Sequence, residues 1–157
     1  MKSCKLCWTI SLVLLAAVLG MAYMFLLRGN VVASDDGRTA IVVSSGERDL
    51  ILTEMRGFLE AVQAITSAIA EEDMPAAAEA ARSAGKASVG EVPTSLIGKL
   101  PLEFKTLGFE THGLFDDLAK TAETGDGKAV AAGLGDLMLN CTSCHAGYRL
   151  LAEPDAN

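Results

Sequence analysis

Asp126-Gly-Lys-Ala-Val130-Ala-Ala-Gly-Leu134-Gly-Asp-Leu137-Met-Leu-Asn140-Cys141-Thr142-Ser143-Cys144-His145 is the stretch that decides how the chain reads. Val130, Leu134, Leu137, Cys141, Cys144 and Tyr148 recur at alternating steps of three and four, the period of one helical face. The two cysteines therefore lie on the inward stripe of a helix predicted from about Asp126 to Leu151. Cys141-Thr142-Ser143-Cys144-His145 is a C-x-x-C-H pattern, which attaches a c-type haem. On a helix the positions i, i+3 and i+4 share a face, so two thioether-forming thiols and an imidazole address a single flat ligand.

Other uses of the pattern fit less well. A thioredoxin-like pair needs a strand before it and a helix that starts at the first cysteine. Here a helical stretch precedes the pair, and no alternation of strands and helices occurs. A zinc site needs two further soft ligands. The other two cysteines, Cys4 and Cys7, precede a long apolar segment that places them across a membrane. Thiols on that side stay reduced, and the sequence assigns these two no role.

The apolar segment runs from Trp8 to Leu27, twenty residues without a charge, flanked by Lys2 and Lys5 before it and Arg28 after it. About 20 residues cross the hydrocarbon core, whereas the apolar part of a signal peptide spans roughly 7–15. Length favours a retained anchor (residues 1–28) over cleavage after Ala33. The basic bias and the site of haem attachment place the N-terminus in the cytoplasm and the rest in the periplasm, a single-pass inner-membrane protein. Of 13 basic and 20 acidic residues, three basic ones lie in the anchor, which leaves the remainder strongly acidic. Such a field repels nucleic acid and suits a basic partner surface.

Residues 29–43 are Gly- and Asp-bearing and read as a tether. The only β-branched run, Ile41-Val42-Val43, is too short to build a sheet. From residue 44 to about 152 four helices are expected. The first opens at Ser44-Ser45-Gly46-Glu47, which has capping-box spacing. It carries Leu52, Met55, Leu59, Val62, Ile65 and Ile69 inward to about Glu72. Asp73 caps a second, alanine-rich helix that runs through Ala87, with Pro75 in its first turn; it is expected to pack most loosely. Gly90–Pro101 is a connection. The third helix presents Phe104, Leu107, Thr111, Leu114, Phe115 and Leu118 and ends near Gly125. The haem-motif helix is the fourth. Amphipathic helices with short joins give an all-α, antiparallel four-helix bundle, with one covalent haem inserted from the last helix and one transmembrane helix in front.

A four-helix domain with Cys141-Thr-Ser-Cys144-His145-Ala-Gly-Tyr148-Arg149 near its end resembles the class II cytochromes c, the cytochrome c prime family. The resemblance covers Ser44 to about Ala152 and implies His145 as proximal iron ligand, with Cys141 and Cys144 as thioether anchors. Arg149, one helical turn beyond His145, is placed to approach a haem propionate. The family's distal residue comes from the first helix, and its nature sets the function. An apolar residue leaves the iron five-coordinate and open to small gases; a methionine makes it six-coordinate and suited to electron transfer. By the family's Arg-plus-four spacing Arg48 points to Leu52. Met55, one turn further along the same stripe, is the methionine within reach, since a turn displaces a side chain by only ~5 Å. His112 on the third helix is the other candidate ligand.

The function expected is a membrane-tethered carrier of single electrons between periplasmic or membrane-bound redox proteins, through one haem c held by Cys141, Cys144 and His145, with Met55 as second axial ligand. The alternative is a gas-binding module with Leu52 over an open iron; a third reading is a structural subunit of a larger membrane redox complex. No nucleophile with a neighbouring base and no phosphate loop occurs, so an enzyme is not expected. The family's habit of pairing through its first two helices implies a homodimer.

Overall fold

The computed structural model describes residues 5–153. It is mostly helical, with an N-terminal apolar helix. Helix α1 spans Lys5–Ala22 and continues through a π-helical turn, Tyr23–Arg28. Together these 24 residues have a mean hydropathy of 2.5 in their most apolar window, and none is buried. This helix is long and apolar enough to cross a membrane. Cys4 and Lys2 lie outside the described residues.

The remaining helices are α2 (Ser45–Ala70), α3 (Met74–Ser83), the short α4 (Thr94–Lys99), α5 (Leu102–Glu123) and α6 (Gly127–Gly147). Helices α2, α3, α5 and α6 enclose the main core, in which Ile65, Phe115, Val130 and Leu137 are fully buried. Helix α6 buries the stripe its sequence announces, Val130, Leu134 and Leu137, with Cys141 and Cys144 half-buried beyond them.

Helix α2 is rotated from the expected phase. Ile51, Ala61, Ile65 and Ala68 are buried and Met55 and Phe58 partly so, whereas Leu59 is exposed. The alanine-rich α3 explains the shift: Ala77, Ala78 and Ala81 are buried in the same cluster as Ala61 and Ala68. Small side chains on both helices let the backbones approach closely, so the alanine face wins over the leucine. Helix α3 is thus tightly packed, where loose packing was expected. It also ends at Ser83, and Lys86–Ser88 forms a separate 3-10 turn.

The α2–α3 corner is a Schellman turn: Glu72 N–H donates to Ile69 O at 3.2 Å and Asp73 N–H to Ala68 O at 2.9 Å. Asp73 then caps α3, accepting from Ala76 N–H at 3.0 Å. Glu72 carries the positive φ of 58° that this turn demands. Glycine adopts that conformation without a Cβ clash. Glu72→Gly is therefore expected to stabilise the chain by about 1 kcal/mol in denaturant unfolding.

Two expectations fail in the segment that precedes α2. Residues 29–43 are not a tether, because Val31–Ala33 (β1) and Thr39–Val43 (β2) form an antiparallel hairpin. Nor does the last helix reach Leu151. It stops at Gly147, and Tyr148–Ala152 (β3) runs parallel to β2, with Thr39 opposite Tyr148 and Val43 opposite Ala152. The β-branched run is long enough because it pairs on both sides, and Ile41 and Val43 are fully buried. They join Ile51, Leu96 and Leu100 in a second, smaller apolar cluster. The Gly90–Pro101 connection likewise holds α4, which brings Leu96 into that cluster.

Glu47 ties these parts together. It accepts from Ser44 N–H at 2.9 Å, completing the capping box, and from Ser95 Oγ at 3.0 Å. Lys99 Nζ lies 2.8 Å from both Glu47 and Glu153, joining α2, α4 and the end of β3. Held chiefly by the Lys99 ammonium, the Glu47 carboxyl titrates at about 2.

Candidate haem-attachment site

The C-x-x-C-H turn lies where the apolar interior divides. Cys141 borders the main cluster beside Phe58 and Leu137. Tyr148 belongs to the smaller cluster, with Met55 and Phe104. Cys144 and His145 fall between the two. The thiols sit one turn apart on the inner face of α6, neither is in a disulfide, and burial pushes both above the usual thiol range. His145, next in sequence, is exposed.

Among the described residues no three His, Cys, Asp or Glu side chains converge as a metal cage would require. Attachment points spread along one helix face suit a broad, flat ligand instead. The residues present therefore fit a porphyrin bound by Cys141, Cys144 and His145 better than a bare ion.

No protein-family model, curated protein or solved structure matches this chain.

The end of α6 is held by a residue that the sequence reading passed over. Arg38, in the hairpin turn, extends Nη1 to the carbonyl oxygens of His145 at 3.4 Å and Tyr148 at 3.5 Å. These are carbonyls of the kind a helix leaves unpaired at its C-terminus. Arg38 is oriented by Asp36, whose Oδ2 accepts from Nη2 at 2.6 Å and Nε at 3.0 Å. The paired guanidinium holds the Asp36 carboxyl well below the usual carboxylate range. The signal was present in Asp35-Asp36-Gly37, a turn sequence between two apolar runs, with Gly37 at φ 83°.

Tyr148 closes the turn from the other side. Its ring meets Phe104 edge-on at 5.6 Å, and its hydroxyl donates to Glu103 Oε2 at 2.9 Å. Burial, followed by the Glu103 carboxylate, raises the phenol to about 12, so it remains a donor.

Arg149 is not on the helix. It is exposed on β3, where Nη1 donates to Ser34 Oγ at 3.1 Å and lies 3.6 Å from Asp36. The expected position one turn beyond His145 is lost because the helix has already ended.

His112 is buried on α5 and both its ring nitrogens are taken. Nδ1 lies 2.8 Å from Ala84 O and Nε2 3.1 Å from Glu54 Oε1, with Phe58 edge-on at 4.8 Å. Both partners are acceptors, so both nitrogens must carry a proton and the ring is an imidazolium. Neither is left for iron. The Glu54 carboxylate, ahead of the Ala84 carbonyl, raises the His112 pKa above its ordinary 6.5. Because the folded value is the higher one, the stabilisation is complete below about 6.5 and is lost as pH rises through the folded value. The thermal midpoint should therefore fall on going to alkaline pH, and Glu54→Gln should flatten that dependence when melting is followed by circular dichroism.

Proposed function

We propose that this chain is a membrane-anchored c-type cytochrome that carries single electrons. In this reading α2, α3, α5 and α6 form an antiparallel four-helix bundle of the class II cytochrome c kind, facing the periplasm, with α1 crossing the inner membrane. Cys141 and Cys144 anchor one haem c by thioethers and His145 ligates its iron. Bound there, the haem supplies reversible one-electron transfer.

The observation that carries the reading is the placement of Cys141 and Cys144 on the inner face of α6, at the division between the two apolar clusters. Met55 belongs to the cluster that contains Tyr148, three residues past His145. A thioether drawn from that cluster supports Met55 as second axial ligand. The chain's own groups do the positioning. Arg38 fixes the carbonyl of His145, Tyr148 braces the turn against α5, and the half-buried surroundings of the two cysteines limit water near the site. The acidic charge of the domain suits a basic redox partner, in the membrane or the periplasm.

Optical spectra of the purified chain, with carbon monoxide added after reduction, test this reading. A low-spin spectrum that ignores carbon monoxide is expected. A high-spin spectrum that shifts with the gas would instead assign an open iron beside Leu52 and a gas-binding role.

A further inference from the structure

The junction between α1 and the rest of the chain is built rather than loose. Lys105 Nζ donates to Leu26 O at 3.0 Å and to Ile97 O at 3.4 Å, bridging the π-helical turn, α4 and α5. Asn30 N–H donates to Lys99 O at 2.7 Å. Gly29, at φ 68°, lies so close to the Lys99–Pro101 backbone that a Cβ there would meet Lys99 O and lie 2.7 Å from Pro101 N. At Gly98 a Cβ would come within 3.3 Å of the Phe25 ring. The last turn of the apolar helix is thus packed on α4 and the start of α5.

Beside this junction two large apolar side chains face outward, Ile97 at 42% and Leu102 at 47% exposure. They continue the exposed apolar surface of Phe25, Leu26 and Leu27. The lysines nearby do not lie free over them: Lys99 is drawn back to Glu47 and Glu153, and Lys105 is held at Leu26 O.

We propose that Ile97 and Leu102 insert into the lipid surface, so that the domain is docked on the bilayer in a fixed orientation and does not swing on a tether. This rests on α1 being a membrane span. The occupant is lipid because the patch is continuous with a helix whose whole surface is apolar and unburied. Side chains at such a boundary lie ~5–10 Å into the headgroup and acyl region. Docking has a consequence for the haem-attachment site. Phe104 and Glu103, in the first turn of α5, contact Tyr148. The C-x-x-C-H turn is therefore at the membrane-proximal end, presented to partners within the membrane plane rather than to carriers diffusing above it.

Single-tryptophan variants of the full chain test this in phosphatidylcholine vesicles whose acyl chains are brominated and quench nearby indoles. In a Trp8→Phe background, Leu15→Trp reports the span, Ile97→Trp and Leu102→Trp report the patch, and Thr124→Trp reports the far end of α5, ~33 Å along that helix. Loss of most emission at positions 15, 97 and 102, with full emission at 124, is expected. Quenching at 15 with full emission at both 97 and 102 overturns docking while leaving the anchor intact. Full emission at 15 overturns the span itself and the proposal with it. Quenching at 124 also overturns the proposed orientation.

Discussion

The double variant Cys141→Ala/Cys144→Ala is expected to lose all covalently held haem. After denaturing electrophoresis the wild-type band retains haem peroxidase activity, and the variant band shows none. Each single variant keeps one anchor and one unsaturated vinyl group, which extends the conjugated ring and moves the reduced spectrum to longer wavelength. The losses propagate to stability, because a cofactor bound only by the folded state adds to its free energy. Both cysteines are already half-buried beside apolar neighbours, so alanine leaves a small void rather than an unpaired polar group. A variant that still folds without haem is therefore attainable, and it separates attachment from folding.

The second large effect belongs to Met55. Met55→Ala should convert a low-spin spectrum to a high-spin one, open the iron to carbon monoxide and lower the reduction potential, since a methionine ligand raises it. Truncating a partly buried methionine also costs about 2 kcal/mol through the cavity left behind. Met55→Leu restores the volume at a cost below about 1.5 kcal/mol. The leucine variant therefore isolates ligation: a high-spin spectrum in a chain of near wild-type stability assigns the sulfur to iron. Retention of the low-spin state in both variants would make Met55 a packing residue of the Ile51–Leu96 cluster.

The haem-motif helix was legible because its stripe is strict. Every position of Val130-Leu134-Leu137-Cys141-Cys144 is inward in the structure, and the flanking Asp126 cap accepts from Ala129 N–H at 2.9 Å. The capping box at Ser44 and the α2–α3 corner were legible for the same reason, local hydrogen-bonding chemistry that depends on few distant contacts. The phase of α2 was not. Hydrophobicity ranks Leu59 above Ala61, but packing against Ala77 and Ala81 rewards the smaller side chain. The sheet was missed because its pairing is non-local: Thr39–Val43 pairs with Tyr148–Ala152, more than a hundred residues away. With that pairing unseen, helix α6 ran on too far, Arg149 was placed on the wrong element, and Arg38 went unnoticed above the His145 carbonyl.

The most direct test of covalent haem attachment is the intact mass of the full chain under denaturing conditions, after expression in cells competent for c-type haem attachment and purification from the membrane. The account predicts a chain heavier by one haem, with the addition mapped to the peptide carrying Cys141 and Cys144. A chain at its bare mass with both thiols free to alkylating reagent would contradict it.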